Sequence, residues 1–504
     1  MVATIKTFAF NGIDVLAIDV QIKISNAVNP VFNIVGLGDK AVAESKERVR
    51  AAIASTGLEW PSKRIIVNLA PADIQKEGSH YDLAIALGIM IEMNVLESKL
   101  LDNYFVLGEL ALDGSISKIN GTISAAIGAN QRNCGIICPQ INGQEAAWAG
   151  DVDIVAAYNL PTLINHLKGQ QTLSRPQTKS IKTTTKYPDF AEVKGQQSAK
   201  RALEVAASGG HNVLMIGAPG AGKSMLASRL PSILPDLELM EILEINMINS
   251  VSGKINDGNL ITNRPFREVH HSCSMPAMVG GGSLVKAGEI SLAHNGVLFL
   301  DELAEFPRQV LDSLRQPMEN GEIVIARVNS RVNFPANFQL IAAMNPCRCG
   351  HLGDSKKECK RAPICGQEYK NKISGPLLDR IDIVIEVPVI DYFANDNNKK
   401  GESSASIRQR VIKGRNIQRS RFNQYDSQTK TLTNAKMNSE MVEKYCQLDE
   451  ECRNLLKMAV DKIGLSMRGI SKILKVSRTI ADLDQSQNIS KQHLLEAISY
   501  RRQI

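Results

Sequence analysis

A glycine-rich stretch in the middle of the chain has residue types and spacing that suit phosphate binding. The stretch consists of Gly217, Ala218, Pro219, Gly220, Ala221, Gly222, Lys223 and Ser224. It follows a short apolar run and precedes residues 225–230, which are compatible with a helix. In such a strand–loop–helix unit the loop N–H groups surround phosphate oxygens, the lysine reaches the β- and γ-phosphates, and the serine hydroxyl holds Mg²⁺. The stretch therefore predicts a nucleoside triphosphate site.

A second apolar run ends in two carboxylates, Asp301 and Glu302. An aspartate at this place can orient a water bound to Mg²⁺, and the glutamate beside it can act as general base on the attacking water. A strand that ends in two acids is common by itself. Because this pair follows the glycine-rich stretch in the expected order, it indicates hydrolysis of ATP rather than binding alone.

The elements that must position these residues are typical of a P-loop core with a parallel sheet. Apolar runs at residues 212–216, 296–300 and 339–343 are separated by helical stretches. Short continuous apolar runs of this kind are typical of strands that are buried on both faces. We therefore expect an α/β ATPase core over residues 188–390.

The rest of the chain divides by composition into two further domains and two linkers, which makes the predicted fold class multidomain α/β. Residues 1–168 alternate strand-like and helix-like runs and predict an α+β domain. Residues 169–187 and 391–406 are polar and are interpreted as linkers. Residues 407–504 are mostly helical and predict a C-terminal helical domain.

Composition and charge limit the classes of protein to consider. With 43% hydrophobic and 22% charged residues, the 504-residue chain has the composition of a soluble globular protein. It contains no run approaching the roughly 20 apolar residues of a membrane span, so we expect a cytoplasmic protein. The formal net charge is +7, and residues 401–504 carry 19 Lys and Arg against 11 Asp and Glu. This excess favours a polyanionic partner such as nucleic acid, although many basic helices only face solvent.

Several further motifs resemble a known family. They are Arg264-Pro-Phe-Arg267, His270-His271, Gly280-Gly-Gly-Ser283, Gly288-Glu-Ile-Ser-Leu-Ala-His294 and Ser374-Gly-Pro-Leu-Leu-Asp-Arg-Ile-Asp382. Together with the nucleotide motifs they resemble the YifB/ComM family of magnesium-chelatase-like AAA+ ATPases, over nearly the whole chain. The resemblance implies a parallel-sheet AAA+ core with a helical lid, and ATP and Mg²⁺ as cofactors.

The resemblance also implies roles for three residues outside the nucleotide loop. Asn345 would be the sensor that positions the attacking water, and Arg468 would be a second sensor in the lid. Arg380 would be an arginine finger that reaches into the site of a neighbouring subunit, where a guanidinium stabilises the charge on the γ-phosphate. A structural salt bridge of Arg380 with Asp379 or Asp382 is the alternative. A finger supplied by a neighbour implies a homo-oligomeric ring, most plausibly a hexamer.

The N-terminal domain resembles the Lon protease fold, which can host a serine–lysine pair. The resemblance rests on residues 71–83 and 108–115. In this sequence His80 stands at the place of the nucleophile and Ile123 at the place of the lysine, so neither partner is present. Ser79 and Lys118 are nearby replacements, but we expect a platform without proteolytic activity.

Four of the nine cysteines lie within nineteen residues, at Cys347, Cys349, Cys359 and Cys365. Four sulfurs on one segment suit tetrahedral Zn²⁺, and reduced thiols without a metal are an equal alternative. The family pattern has two Cys-x-Cys pairs, whereas Arg361 occupies the fourth position here, so Cys365 would have to replace it. His351 is a further candidate ligand.

Three segments are candidates for contact with a polymer. Residues 321–333 predict a hairpin whose polar turn carries Arg327 and Arg331, which suits phosphate contacts or a solvated edge. The glycine-containing insert, residues 270–286, is a second candidate. Arg408, Arg415 and Arg419 share a helical spacing and form a third basic surface, unless they only face solvent.

Three functions fit these features. The first is a ring-shaped, ATP-driven DNA motor for branch migration or unwinding in recombination or natural transformation. The second is the ATPase component of a magnesium chelatase, against which the Lon-like domain stands. The third is an ATP-driven remodeller of proteins. The motor core alone does not select the substrate.

Overall fold

The computed structural model describes residues 2–36, 39–74, 76–178, 187–255, 258–282, 286–326, 331–352, 359, 361–389, 401–423 and 433–501. The strands within them are β1 Ala3–Asn11, β2 Asp14–Ser25, β3 Phe32–Val35, β4 Arg64–Ala70, β5 Tyr104–Val106, β6 Glu109–Leu110, β7 Ile116–Ser117, β8 Gly135–Pro139, β9 Ile154–Ala157, β10 Val213–Ile216, β11 Phe266–Val269, β12 Gly280–Gly281, β13 Lys286–Ala287, β14 Val297–Leu300, β15 Glu322–Ala326, β16 Arg331–Pro335, β17 Gln339–Met344 and β18 Ile383–Glu386.

The α-helices are distributed over the whole chain. They are α1 Asp39–Ser55, α2 Asp82–Glu92, α3 Thr122–Asn130, α4 Gly143–Ala146, α5 Leu160–Leu167, α6 Gln197–Gly209, α7 Lys223–Ala227, α8 Leu230–Ile233, α9 Leu239–Val251, α10 Met275–Val279, α11 Glu289–Leu292, α12 Arg308–Ser313, α13 Arg315–Asn320, α14 Ile364–Lys370, α15 Gly375–Leu378, α16 Ser404–Asn423, α17 Ser439–Tyr445, α18 Glu450–Ile463, α19 Met467–Leu483 and α20 Lys491–Ser499.

The N-terminal part is built on a seven-stranded sheet with the order β3-β4-β2-β1-β5-β8-β9. The β1–β2 and β2–β4 pairs are antiparallel, and the other neighbours are parallel. Helix α2 packs on this sheet and is apolar nearly all round, which is typical of a helix buried on every side. Gly88 lets α2 approach the sheet, because a Cβ there would lie 2.2 Å from the side chain of Ile22.

The central part contains a five-stranded parallel sheet with the order β11-β14-β17-β10-β18. The four residues of β10, all four of β14 and all six of β17 are buried, so the continuous apolar runs of the sequence are explained by helices on both faces. The carboxyl ends of β10, β14 and β17 meet at one edge. That edge carries residues 217–224, the acid pair and Asn345.

The C-terminal helices pack against the central part and also form a smaller apolar cluster of their own around Phe422, Met441 and Ile489. Helices α16 and α19 both contact α6, and their buried side chains join the same apolar cluster as β10 and β17. Helix α16 begins at Ser404, inside the segment predicted as a linker. Its position is fixed there because Ser404 Oγ accepts a hydrogen bond from Phe190 N at 2.8 Å.

The N-terminal and central parts touch through polar and backbone contacts. Ser250 on α9 donates a hydrogen bond to the buried Glu145 of α4. Lys118 donates to the carbonyl oxygen of Ile255 at 2.7 Å. The turn at Gly12 lies against β16, where a Cβ on the glycine would be 2.3 Å from the carbonyl oxygen of Asn333.

Candidate functional site

The predicted phosphate loop lies between β10 and α7, at the carboxyl edge of the central sheet. Gly220 and Gly222 have φ angles of +78° and +88°, which residues with side chains rarely adopt. Gly217 has no room for a side chain, because a Cβ there would lie 2.3 Å from the carbonyl oxygen of Val387. The glycines are therefore required by the backbone conformation and by close packing, as well as by any phosphate that binds.

Lys223 points into the loop. Its ammonium donates hydrogen bonds to the carbonyl oxygens of Gly217 (2.7 Å) and Ala218 (3.0 Å) and to Asn345 Oδ1 (3.1 Å). Burial lowers the pKa of this lysine, and the carboxylates of the acid pair partly offset the effect. A buried ammonium that has only neutral acceptors gains strongly from a polyanion, which a triphosphate supplies.

Ser224 and Asp301 place a hydroxyl and a carboxylate together in an arrangement that would suit Mg²⁺. Ser224 Oγ donates a hydrogen bond to Asp301 Oδ2 at 2.6 Å. Mg²⁺ is usually held by one or two protein oxygens and completes its shell with phosphate oxygens and water. The hydroxyl and the carboxylate lie together because α7 begins at the sheet edge where β14 ends.

Glu302 is the carboxylate best placed to meet solvent beside this pair. Its backbone lies in the left-handed region, with φ +52°, and its N–H donates to Asp301 Oδ1 at 2.8 Å. Such a conformation costs about 1–3 kcal/mol and is found most often at functional sites. The side chain is 50% exposed, so water reaches the carboxylate, as a general base requires.

His271 is a neighbour of Glu302 that the sequence reasoning did not single out as a functional residue. Its Nδ1 lies 3.1 Å from Glu302 Oε2. Strand β11 runs parallel to β14, so the residues after both strands emerge at the same sheet edge. A prediction that β11 and β14 are parallel neighbours would have placed His270-His271 beside the acid pair.

Gln196 is a second residue that sequence reasoning missed. Its φ angle is +55°, and its Nε2 donates to the carbonyl oxygens of Ala221 (3.2 Å) and Pro388 (2.7 Å). It therefore holds the phosphate loop to the residues after β18. No local pattern marks a glutamine for this position.

Arg380 lies outside the nucleotide site of its own chain. Its guanidinium pairs with Glu319 on α13 and donates to the carbonyl oxygen of Pro376 at 2.6 Å. The salt bridge considered from the sequence, to Asp379 or Asp382, is thus replaced by one to Glu319. Asp382 is held by other groups, with Lys472 Nζ at 2.9 Å. The finger role of Arg380 stays a prediction.

Arg468 is exposed on the first turn of α19. It makes no hydrogen bond or ion pair with any of the described residues. No contact among the described residues links Arg468 to the phosphate loop, and its sensor role also stays a prediction. Asn345 differs, because it directly contacts Lys223.

The four cysteines that the sequence analysis grouped, Cys347, Cys349, Cys359 and Cys365, lie close together in the segment that follows Asn345. Their sulfur atoms all lie within 4.8 Å of one another. Cys365 belongs to the group, so it replaces the fourth cysteine of the family pattern. Arg361, which occupies that fourth position, instead pairs with Glu368 at 3.1 Å.

In the N-terminal part the candidate proteolytic groups are all engaged elsewhere. The ring of His80 is buried, with Nε2 2.9 Å from the carbonyl oxygen of Phe8, and burial lowers its pKa to about 4. Ser79 donates a hydrogen bond to Glu109, and Lys118 donates one to the carbonyl oxygen of Ile255 in the central part. Ser79 is thus paired with a carboxylate and Lys118 with a backbone carbonyl, so these two side chains do not form a serine–lysine pair.

The hairpin and the insert proposed as polymer contacts lie side by side. Strands β15 and β16 pair in an antiparallel hairpin, on which Arg331 is exposed, while Arg327 is outside the described residues. The insert forms α10 and the β12–β13 pair; its Ser283 is also outside the described residues. A Cβ at Gly280 would lie 2.9 Å from the side chain of Ile325, so the insert packs directly on the hairpin.

The third predicted basic surface is neutralised within the fold. Arg408 pairs with Asp236, and Arg419 pairs with Glu238. Arg415 is half-buried and donates to the carbonyl oxygen of Ala207 at 2.8 Å. Charges with partners in the chain have little left to offer a polyanion, so this helix face is a weaker candidate than the sequence suggested.

Comparison with known families and proteins accounts for the whole chain. Three family models match: "Subunit ChlI of Mg-chelatase" over residues 20–142, "Magnesium chelatase, subunit ChlI" over residues 189–394, and its C-terminal model over residues 401–501. The competence protein ComM of Haemophilus influenzae is 42% identical over 100% of this chain and 98% of its own length. The YifB protein of Escherichia coli is 42% identical over 99% and 96%.

The chain belongs to the ComM/YifB family. This family carries the magnesium-chelatase-like AAA+ core, which agrees with the parallel sheet and with the nucleotide motifs. The magnesium-chelatase 38 kDa subunit of Rhodobacter capsulatus is also similar, at 26% identity, but over only 34% of this chain. Within the described residues, no helix combines the length and apolar character needed to cross a membrane.

Proposed function

We propose that the chain is an ATP-hydrolysing ring motor that acts on DNA, in branch migration or unwinding during recombination or natural transformation. The observation that carries the proposal is a continuous contact path. It leads from Glu302 through His271 into the insert, and from the insert to the exposed hairpin β15–β16. A motor needs such a connection between its hydrolytic site and the surface that holds its polymer.

The hydrolytic half of the proposal rests on five side chains at one sheet edge. Lys223 would bind the β- and γ-phosphates, and Ser224 with Asp301 would hold Mg²⁺. Glu302 would take a proton from the attacking water, and Asn345 would orient that water. The contacts among Lys223, Asn345, Ser224 and Asp301 support a preassembled site, which lowers the cost of ordering it during each turnover.

The polymer-binding half rests on the hairpin and on the relatives. Arg331 is exposed at the end of the hairpin and carries a charge suited to backbone phosphates, a contact that does not depend on base sequence. A relative whose name describes a competence protein matches the chain from end to end. A DNA replication licensing factor, Mcm6 of Drosophila melanogaster, is 22% identical over 42% of the chain.

Arg380 supports the ring in this proposal. An arginine that is directed away from its own nucleotide site would work only in the site of a neighbour, and a closed ring gives every site such a neighbour. Six copies are the expected number. The pair with Glu319 would have to open, or share the guanidinium, when the neighbour's triphosphate arrives.

A magnesium chelatase subunit is the second candidate function. Its support is that all three matching family models are models of magnesium chelatase subunit ChlI. Against it, the similarity to the 38 kDa chelatase subunit is confined to about a third of the chain, whereas ComM and YifB match throughout. We therefore rank the DNA motor first and an ATP-driven protein remodeller third.

The test measures ATP turnover of the purified chain with and without branched DNA, together with strand displacement. Glu302→Gln is the blank, since loss of a general base lowers turnover by about 10²–10⁴-fold while leaving nucleotide binding intact. We expect branched DNA to stimulate turnover and strands to be displaced only with ATP. Turnover that no DNA alters, without any strand displacement, would reject the DNA motor and favour a protein or chelatase-type client.

A further inference from the structure

The four-cysteine cluster beside the nucleotide site takes no part in the hydrolysis proposed above. Cys347 is buried, Cys349 is exposed, and Cys359 and Cys365 are half-buried. The sulfurs of Cys347 and Cys349 are 3.2 Å apart, and all four lie within 4.8 Å of one another. Four thiolates on a tetrahedral Zn²⁺ are separated by about 3.8 Å, since each Zn–S bond is about 2.3 Å. The spacing is that of ligands around a single ion.

The local backbone explains how four separated cysteines meet. Cys347 and Gly350 form a turn in which Gly350 N donates to the carbonyl oxygen of Cys347 at 3.0 Å. Cys365 lies in the first turn of α14, and Ala362 N donates to the carbonyl oxygen of Cys359 at 3.0 Å. Two turns and a helix start thus present their sulfurs to one point. Among the described residues of 347–365, Cys347 is the only apolar side chain that is buried, so an ion would replace the missing core.

We propose that Cys347, Cys349, Cys359 and Cys365 bind one Zn²⁺, and that this ion positions the sensor residue and the phosphate loop of the ATPase site. Sulfurs this close leave room for one ion between them and none for the inorganic sulfide of an iron–sulfur cluster. Four thiolates without nitrogen or oxygen ligands are typical of structural zinc sites, which leave no open coordination position.

The link to the ATPase site is short. Asn345 lies two residues before Cys347, and it contacts Lys223 of the phosphate loop at 3.1 Å. On the other side, a Cβ at Gly350 would lie 2.6 Å from the ring of Pro219, so the metal-binding turn packs on the phosphate loop itself. An ion that fixes this turn therefore restrains both Asn345 and the phosphate loop, so it would position these groups without touching the nucleotide.

The first experiment measures the metal content of the full chain, purified without chelators. The methods are elemental mass spectrometry and release of zinc by a mercurial reagent. We expect about one zinc per chain. Cys349→Ser with Cys359→Ser should lose it, because both ligands lie near the surface and can be changed without a cavity in the core. Cys134→Ser, a thiol of the N-terminal part, is the matched control and should keep it.

This experiment decides the site independently of any activity, and so independently of the DNA-motor proposal. Circular dichroism and elution volume verify that the double variant is folded. The proposal would be overturned if zinc persisted in the double variant or if the chain held iron in place of zinc. It would also be overturned if the chain, after growth in zinc-supplemented medium, were free of metal with its cysteines either in disulfides or as four reactive thiols. Cobalt in place of zinc should give the visible absorption of tetrahedral thiolate coordination.

The second experiment tests the link to the ATPase site. After zinc is removed with a mercurial and the thiols are restored with reductant, we expect kcat for ATP to fall on the order of tenfold or more, as for a displaced reacting group. The KM for ATP should change much less, and added zinc should restore kcat. An unchanged kcat in the zinc-free, folded chain would overturn the positioning role, whereas a chain without turnover in any state would instead contradict the proposed ATPase.

Discussion

At the scale of the residue, the contact between His271 and Glu302 sets the state of the candidate general base. The imidazole and the carboxylate are both partly exposed, 35% and 50%, so their attraction is weak enough to be broken during a catalytic cycle. While the contact lasts, one carboxylate oxygen faces the imidazole instead of the attacking water. Since His271 lies at the start of the insert, we expect movement of the insert to release Glu302.

We expect His271→Ala to raise ATP turnover without DNA by about twofold to fivefold, the factor that corresponds to an exposed pair worth up to about 1 kcal/mol. Steady-state turnover at saturating ATP measures it. His270→Ala is the control for loss of a neighbouring imidazole, because the His270 ring bonds Ser272 and packs on the His271 ring, and no hydrogen bond or ion pair links it to Glu302 within the described residues. A lower turnover in His271→Ala than in the control would mean that the imidazole assists the base rather than restrains it.

At the scale of the element, a buried charge cluster fastens helix α19 to the start of strand β18. Asp382 accepts hydrogen bonds from Lys472 Nζ at 2.9 Å and from Asn212 N at 3.0 Å, and His211 lies 3.7 Å away. Burial alone raises the pKa of Asp382, but Lys472 and His211 outweigh it, so the pKa lies far below its ordinary value. The carboxylate is therefore charged in the folded chain and links the C-terminal helices to the sheet.

Because the folded pKa is depressed, the stabilisation by Asp382 is complete above the unfolded pKa, about 3.9, and is lost as the pH falls below it. We expect Asp382→Asn to cost about 3 kcal/mol near neutral pH, since it leaves the Lys472 charge buried without its partner. The urea midpoints of the variant and the original chain should converge below about pH 4. Asp461→Asn, an exposed carboxylate on α18, should leave the midpoint unchanged at every pH. Parallel curves for Asp382→Asn across the acid range would disprove the assignment.

At the scale of the whole molecule, the arginine finger proposed for Arg380 requires a second copy of the chain to complete each site. Two variants that are each inactive should then complement one another. Lys223→Ala removes nucleotide binding but keeps the finger, and Arg380→Ala keeps nucleotide binding but loses the finger, at a cost of about 10³-fold in turnover. In a mixed ring, some sites combine an intact Lys223 with a neighbour's Arg380.

We therefore expect a mixture of the two variants to recover a measurable part of the original ATP turnover, and recovery to increase with protein concentration as rings assemble. Light scattering during the same titration measures the mass of the assembly. Glu319→Gln, which releases Arg380 from its partner within the chain, should not lower turnover. If the mixture stays as inactive as its components while a ring forms, Arg380 is not a finger in this protein.

The sequence by itself determined the features that depend on neighbours along the chain. The phosphate loop needs glycines at fixed spacing and a lysine on the following helix, and a buried parallel strand needs a continuous apolar run, so Lys223, Asp301 and the core sheet could be predicted. The predicted runs 212–216 and 339–343 agree with β10 and β17 within one residue. The family followed from the same local motifs.

Only the tertiary structure decided which distant residues meet. His271 reaches Glu302 because β11 lies beside β14, and Cys365 joins the cysteine cluster because α14 packs against the residues that follow β17. Arg380 pairs with Glu319 although two acids lie within two residues of it in sequence. Each of these contacts depends on strand order and on helix packing. Such packing is selected by burial of the whole core, which no local pattern of residue types records.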